Sequence, residues 1–305
     1  MKKILSRRDF LKSSASLLAL SGLAGARTAL AASSTEVLLH SLKVRIPHLP
    51  KNFDGFRIGF LSDPHLGPWV PDDLVAQGVR LLMSERADLI LLGGDFIGIP
   101  DAFPGRLLPY VPNPGFNSTA CKDLPEAIYT RAADILGKLK APAGVFAVYG
   151  NHDNWVEPQL CSSKLGAKGI RLLKNDQVRV ARDNEELLLI GSEDYWTGIP
   201  VWPKLGPRLS HQTRILLSHN PDYVSYLLDS TTAEFDLALC GHTHGGQIKL
   251  PLIGALSYNI EDTRFADGLV AHQRAQVFTS RGIGVVEVPF RLNCPPEVNL
   301  LMLVR

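Results

Sequence analysis

Five short clusters of potential metal ligands occur along the 305-residue chain, each directly after an apolar stretch. One of them is CGHTHGGQI, in which His242 and His244 flank a single threonine between glycines. Taken singly, each cluster could be a solvated turn or a helix cap, because Asp, Asn and Gly favour both. Together the clusters contain Asp63, His65, Asp95, Asn151, His152, Asp153, His219, His242 and His244.

These side chains offer three carboxylates, one amide oxygen and five imidazoles, which is more than one ion can use. Mixed oxygen and nitrogen ligands without thiolate suit manganese, iron or zinc better than calcium or magnesium. Two ions about 3.5 to 4 Å apart are the arrangement that catalyses in-line displacement at phosphorus. The surplus of ligands therefore predicts two divalent metal ions (Mn, Fe or Zn).

The apolar stretches before the clusters have the length and composition of buried strands. They are FRIGFLSD, ADLILLGGD, GVFAVYGNHD, TRILLSHN and FDLALCGHTH. Helical spacing in PDDLVAQGVRLLMSERA and EAIYTRAADILGKLK separates the first three. This order predicts an α/β fold of two packed sheets with helices outside, more antiparallel in its second half. The carboxyl ends of strands in such sheets converge on one crevice, where the five clusters can meet.

The blocks DPH, GGDFIG, GNHDN, LSHNPD and CGHTHGGQI resemble, in order, the five blocks of the calcineurin-like metallophosphoesterases. They cover most of residues 55–250. SRGIG at 280–284 and PFRLNCPPEVNLLML at 289–303 resemble one bacterial envelope-associated branch of that family. The resemblance implies a sandwich of two mixed β-sheets flanked by helices, in four layers. It also implies a single metallophosphoesterase domain over residues 32–305.

The resemblance further implies a role for each cluster. Asp95 would bridge two metals, and His152 would sit over the leaving group, oriented by Asp153. A metal-bridged hydroxide would then hydrolyse a phosphodiester. The implied ligands are Asp63, His65 and His244 for the first metal, and Asn151, His219 and His242 for the second.

Few cations stand near the blocks, and Arg281 is the best candidate to meet a phosphate. A monoester carries an extra negative charge that calls for basic partners, so this scarcity favours a diester, as does the resemblance. A phosphomonoesterase or a nucleotide pyrophosphatase is the alternative among enzymes. The alternative of another class is a non-catalytic exported metal-binding scaffold that keeps the fold.

Two segments are candidates for substrate selection. Residues 97–125 are rich in proline and longer than the family usually has there, which is typical of a lid or binding loop. The other segment, EDYWTGIPVWP at 193–203, contains Tyr195, Trp196 and Trp202. We hypothesise that these aromatics and the apolar LPLIGAL form a hydrophobic rim for an envelope lipid or glycolipid phosphoester. Core packing is the alternative.

Residues 1–31 have the pattern of a twin-arginine signal peptide, with Arg7-Arg8, an apolar run of small residues and an A-x-A site at 29–31. A Sec signal is the alternative. We expect export by the Tat machinery to the periplasm or the outer face of the cytoplasmic membrane, with peripheral membrane contact. Without this segment the chain has 26 basic and 29 acidic residues, a net charge of −3. That balance excludes an electrostatic case for a nucleic-acid partner.

The four cysteines include no C-x-x-C pair. An oxidising compartment would permit a bridge between Cys121 and Cys161, whereas buried small hydrophobic side chains are the alternative.

Overall fold

A computed structural model describes residues 36–98, 124–206, 208, 212–272 and 274–305. The predicted signal peptide and most of the proline-rich segment, residues 99–123, lie outside the described residues. Within the described ranges, every helix is too short or too polar to cross a bilayer.

Fourteen strands are described, and twelve of them form two six-stranded sheets. The strands are β1 (Leu38–Arg45), β2 (Arg57–Leu61), β3 (Leu89–Leu92), β4 (Val145–Ala147), β5 (Ile170–Leu172), β6 (Asp176–Arg182), β7 (Glu185–Gly191), β8 (Thr213–Leu217), β9 (Leu237–Cys240), β10 (Lys249–Leu250), β11 (Gly254–Ala255), β12 (Gly268–Ala271), β13 (Gln276–Thr279) and β14 (Glu297–Val304).

The first sheet has the order β1-β14-β2-β3-β4-β5, in which only the β14–β2 pair is antiparallel. The second sheet has the order β12-β13-β9-β8-β7-β6. Its three central pairs are parallel, and its two edge pairs are antiparallel. The predicted increase in antiparallel pairing in the second half of the chain is therefore confined to the two edges of the second sheet. Strands β10 and β11 form a separate small hairpin.

The described α-helices are α1 (Asp72–Ser84), α2 (Leu124–Leu136), α3 (Asn151–Val156), α4 (Pro158–Gly166) and α5 (Pro221–Ser230). Helix α1 begins after Pro71 with two aspartates in its first turn, where the helix dipole favours negative charge. The side chain of Asn220 caps α5 by accepting a hydrogen bond from the Asp222 amide at 2.8 Å.

Three buried cores divide the described protein into four layers. One core lies between α1, α2, α4 and the first sheet, the second lies between the two sheets, and the third lies between the second sheet and α5. Strands such as β3 and β9 are buried at every position, because each packs against a layer on both faces. This arrangement confirms the predicted sandwich of two mixed sheets flanked by helices.

Candidate metal centre

The predicted site residues meet in one buried cluster where the two sheets adjoin. The strands β2, β3 and β4 of the first sheet and β8 and β9 of the second each end directly before one of the predicted clusters. The side chain of each predicted ligand is almost fully excluded from solvent. The sheets are joined at this point, because His219 after β8 donates its Nδ1 hydrogen to the Gly93 carbonyl after β3, across 2.7 Å.

One half of the cluster is formed by Asp63, His65 and His244. Nε2 of His65 lies 3.1 Å from Nε2 of His244. The Asp63 Oδ1 atom lies 3.6 Å from the same nitrogen of His244 and 3.9 Å from that of His65. Two imidazole nitrogens and one carboxylate oxygen therefore face one point.

The other half is formed by Asn151, His219 and His242. Nε2 of His219 lies 3.1 Å from Oδ1 of Asn151 and 3.2 Å from Nδ1 of His242. Asp95 stands between the halves, since its Oδ2 atom is 3.3 Å from Nε2 of His219 and 3.4 Å from Nε2 of His65. The geometry thus joins both halves through one carboxylate.

Five of these seven separations, from 3.1 to 3.4 Å, fit ligands around metal ions, and the two from Asp63 Oδ1 are longer, at 3.6 and 3.9 Å. At metal–ligand distances of about 2.0 to 2.2 Å, neighbouring ligand atoms lie about 3.0 to 3.5 Å apart. Two of the outer ring nitrogens are also held as a metal requires, because Nδ1 of His219 faces the carbonyl of Gly93, and Nε2 of His242 faces that of Asn259 at 3.3 Å. Such contacts leave the lone pair of the opposite ring nitrogen directed into the cluster.

Burial and neighbouring charges shift the pKa values of residues in the cluster. Burial would raise the pKa of Asp95, but His219 and His152 outweigh burial and hold that pKa well below its usual range. Burial would lower the pKa of His219, but Asp95 raises it. Burial lowers the pKa of His242 to about 3, so this ring is neutral and able to bind a cation.

The backbone of the cluster is strained. Positive φ angles, which are uncommon for residues other than glycine, occur at five of the seven predicted ligands and cost about 1 to 3 kcal/mol each. Strain of this kind persists where surrounding structure enforces it, and it concentrates at functional sites. The residues and angles are Asp63 (52°), His65 (42°), Asp95 (55°), His242 (69°) and His244 (52°).

Glycine at position 241 allows two ligand-bearing loops to touch. A Cβ atom there would collide with Ser62 Oγ and Asp63 Oδ2. The close approach also lets the His242 amide donate to Asp63, with both carboxylate oxygens at 3.1 Å. Gly241 therefore has a steric reason to lack a side chain.

Asp153 binds backbone groups around the cluster. Its Oδ2 atom accepts hydrogen bonds from the amides of Asp95 at 2.9 Å and Gly150 at 3.0 Å. Its Oδ1 atom accepts from the Phe96 amide at 3.0 Å and the Tyr129 hydroxyl at 3.4 Å. Burial raises the pKa of Asp153 to about 7. Its predicted role in orienting the His152 ring stays a prediction, since these hydrogen bonds hold loops together.

His152 lies beside the cluster as the second residue of α3. Its amide donates to Asp95 Oδ1 at 2.9 Å, and its Nε2 atom lies 3.9 Å from Asp95 Oδ2. The ring packs edge-on against His65, with centroids 4.5 Å apart. Burial lowers the pKa of His152 to about 3, so the imidazole is neutral.

Arg281, the cation singled out from the sequence, is already paired. Its Nε atom donates to Asp267 at 2.9 Å and lies 3.8 Å from Glu297. The sequence reasoning missed Arg291, a buried arginine whose Nη2 atom lies 3.2 Å from Nδ1 of His244. Arg291 belongs to the block at 289–303, but hydrophobic periodicity carries no signal for a buried arginine whose partner lies 47 positions earlier in the chain.

The aromatic residues of 193–203 separate into two groups. Trp196 is 47% exposed and packs edge-on against His242, with ring centroids 4.3 Å apart. It is held by the buried Asp194, which accepts a hydrogen bond from the Trp196 amide at 3.0 Å. In contrast, Trp202 packs against Phe235 in the third core. Trp196 therefore borders the cluster, and Trp202 belongs to core packing.

Apolar side chains are also exposed in the segment that follows the His244 turn. The tip of the β10–β11 hairpin exposes Leu252 completely and Ile253 at 72%, and Leu256 follows at 47%. The chain then returns beside His242, where it places the Asn259 carbonyl. We call Trp196, Leu252, Ile253 and Leu256 the apolar rim.

Cys161, Cys240 and Cys294 are buried free thiols. Cys121, the other member of the permitted bridge, lies outside the described residues.

This chain is similar to known proteins along most of its length. Residues 56–246 match the family model of the calcineurin-like phosphoesterases. Phosphodiesterase YaeI of Escherichia coli (strain K12) is 33% identical over 304 residues, which cover 99% of this chain and 100% of that protein. The uncharacterized metallophosphoesterase YkuE of Bacillus subtilis (strain 168) is 29% identical over 315 residues, which cover 99% of each chain.

Among solved structures, a dimetal phosphatase from Danio rerio covers 77% of this chain and 90% of that chain at 15% identity. The TM-score of this match is 0.43. The chain belongs to the calcineurin-like phosphoesterases and is a metal-dependent phosphoester hydrolase.

Proposed function

We propose that this protein hydrolyses a phosphodiester with a pair of divalent metal ions, manganese, iron or zinc. The observation that carries the proposal is the position of Asp95, whose Oδ2 atom lies 3.4 Å from His65 and 3.3 Å from His219. One carboxylate is thereby within reach of both halves of the cluster. The relative named as a phosphodiesterase, which matches along its whole length, supports the choice of a diester.

The proposal assigns the ligands by their contacts. Asp95 would be shared by both ions, and each half of the cluster would provide three further ligands. When bound, the ions supply Lewis acidity to the phosphoryl oxygens and lower the pKa of a water molecule. The first ion would be held by Asp63, His65 and His244, and the second by Asn151, His219 and His242.

His152 acts on the leaving group in this proposal. Its ring is neutral, because burial lowers its pKa to about 3, and its Nε2 atom is turned toward the cluster at 3.9 Å from Asp95. A neutral imidazole keeps one N–H, which can donate a hydrogen bond to the departing oxygen. Asp153 supports this geometry by accepting hydrogen bonds from the amides of Asp95 and Gly150.

The charges beside the cluster favour a diester over a monoester. A monoester would bring an additional negative charge, which a nearby free cation would stabilise. Arg281 is paired with Asp267 and Glu297. Arg291 is buried and donates to backbone carbonyls. Neither arginine is therefore available to a monoester.

The apolar rim supports a substrate with an apolar portion, and we propose an envelope lipid or glycolipid phosphodiester. Exposed apolar patches mark binding or membrane surfaces. The exposed side chains of the apolar rim belong to two chain segments that each contact the His242 ring. Trp196 contacts the His242 ring directly, so an acyl chain on this surface would reach the cluster. The same rim would give the protein peripheral contact with a membrane.

We also propose that the twin-arginine segment directs this protein through the Tat machinery to the periplasmic side of the membrane. Support comes from residues 1–31, in which Arg7-Arg8 precedes an apolar run and an A-x-A site. Residues 32–305 would then constitute a single mature domain. The matched family model, at residues 56–246, lies wholly inside that range.

The function is tested by turnover of a chromogenic phosphodiester beside the corresponding monoester, with full-length protein reconstituted with manganese. We expect faster cleavage of the diester, and its loss in Asp95→Ala. Asp176→Ala, which removes a surface carboxylate on β6, is the matched control and should retain activity. Faster cleavage of the monoester would contradict the diester assignment. If the protein binds two ions but cleaves neither ester nor an envelope lipid diester, this result would favour the non-catalytic metal-binding scaffold.

A further inference from the structure

Residues 281–294, here called the strap, connect β13 to β14 and lie against one half of the cluster. The amide of Ile283 donates to the Ser62 carbonyl at 3.1 Å, and that of Gly284 donates to the Asp63 carbonyl at 2.7 Å. The beginning of the strap is therefore bonded to the loop that carries Asp63.

The same strap is bonded to the turn that carries His244. The amide of Leu292 donates to the Gln247 carbonyl at 3.0 Å. In return the Gln247 side chain accepts from the Val286 amide at 2.8 Å and donates to carbonyls of the strap, including that of Phe290 at 3.1 Å. The strap thus contacts both loops that supply this half of the cluster.

Arg291 connects these two contacts. It is 3% exposed, and its planar guanidinium donates hydrogen bonds to backbone carbonyls of the strap and of the His244 turn. The bonds run from Nε to Gly284 at 2.8 Å, from Nη1 to His244 and Cys294 at 3.3 Å each, and from Nη2 to Arg281 at 2.7 Å and Gly282 at 3.2 Å.

One side chain is therefore hydrogen-bonded both to the strap and to the turn that carries His244. Gly284 holds the backbone of Asp63, and Arg291 holds both Gly284 and His244. The Oδ1 atom of Asp63 and the Nε2 atom of His244 lie 3.6 Å apart. The other half of the cluster is fixed by different groups, since His219 is bonded to the Gly93 carbonyl and His242 to that of Asn259.

We propose that Arg291 is a positioning residue for the half of the metal centre formed by Asp63, His65 and His244. The inference rests on the proposed two-metal function. Lysine cannot replace arginine here, because an ammonium group lacks the planar fork that reaches several carbonyls at once. Mutation of a residue that hydrogen-bonds a metal ligand typically weakens metal affinity by about 10- to 100-fold. The loss is expected at one of the two ions only.

The test is a manganese titration of full-length wild-type, Arg291→Gln and Arg291→Lys proteins, followed by calorimetry and by electron paramagnetic resonance. Wild-type protein should bind two ions and show the spectrum of a spin-coupled pair. Each variant should bind one ion with the wild-type affinity and the other about 10 to 100 times more weakly. At a manganese concentration that fills both wild-type sites, the variants should show a mononuclear spectrum.

Arg214→Lys is the matched control. Arg214 is also a buried arginine, at 4% exposure, and it donates to Gln212 at 3.0 Å and to the Gly206 carbonyl at 3.2 Å, both outside the cluster. Its replacement should leave both manganese affinities unchanged. Thermal unfolding of the metal-free proteins checks that every variant is folded.

The outcomes separate the inference from the proposed function. Wild-type protein that binds no manganese would overturn both. Wild-type protein with two ions beside variants that bind both equally tightly would overturn the inference alone. Equal weakening of both sites, or loss of folding in both variants, would assign Arg291 a general structural role and would also overturn it. If only the glutamine variant fails to fold, the lysine variant decides.

Discussion

The backbone amide of Asp95 donates a hydrogen bond to the buried carboxylate of Asp153 across 2.9 Å. Asp95 has a φ of 55°, and its side chain lies between the two halves of the cluster. The bond therefore holds a strained residue at the centre of the site. It also links the loop after β3 to helix α3, which carries Asn151 and His152.

We predict that Asp153→Asn lowers the free energy of unfolding by about 3 kcal/mol, because an amide nitrogen would face backbone donors that now share a carboxylate. Chemical denaturation of the metal-free protein measures this change. Asp176→Asn, at a surface ion pair with Arg171, should change stability by less than about 0.5 kcal/mol. A similarly small change in Asp153→Asn would contradict the role assigned to this carboxylate.

The positions of the candidate ligands were predictable, because apolar runs identify strands and parallel strands end at a common edge. The five clusters do follow β2, β3, β4, β8 and β9. Their backbone conformation was not predictable, since nothing in DPH or GHTH signals positive φ. The partners of Asp153 and Arg291 also escaped prediction, because both bind backbone groups that only the folded chain brings close.

We predict that Gly241→Ala destabilises the protein by about 1 to 3 kcal/mol and weakens manganese binding, because the new methyl group collides with Ser62 and Asp63. Denaturation and a manganese titration measure the two effects. Gly166→Ala is the control, since it lies at the end of α4 with open space around its Cβ position. That variant should be equally or more stable. Wild-type behaviour of Gly241→Ala would show that the two loops are not in close contact.

Removal of metal should lower thermal stability. Ions that bind only the folded state stabilise it by about 2.7 kcal/mol per site at 100 times their dissociation constant. For a domain of this size we expect the melting temperature to fall by about 5 to 10 °C per ion when a chelator is added. Differential scanning calorimetry measures the shift, and Asp95→Ala should show a much smaller one. An unchanged melting temperature in the wild-type protein would contradict metal binding in the cluster.

The apolar rim leads to a prediction about the substrate. Trp196→Ala should raise KM for a long-chain lipid phosphodiester by about tenfold, which corresponds to about 1.4 kcal/mol of lost apolar contact. KM for a small chromogenic diester should change little. Tyr226→Ala is the control, because Tyr226 is 48% exposed and lies on α5 outside the rim. Equal changes in KM for both substrates would argue that Trp196 supports the His242 ring and does not bind lipid.

The most direct measurement is anomalous diffraction from crystals of the protein soaked in manganese. We expect two peaks about 3.5 to 4 Å apart, the spacing of two-metal hydrolases. One peak should lie among Asp63, His65 and His244, and the other among Asn151, His219 and His242, with the Asp95 carboxylate between them. A single peak, or two peaks that do not share Asp95, would contradict the proposed dinuclear centre.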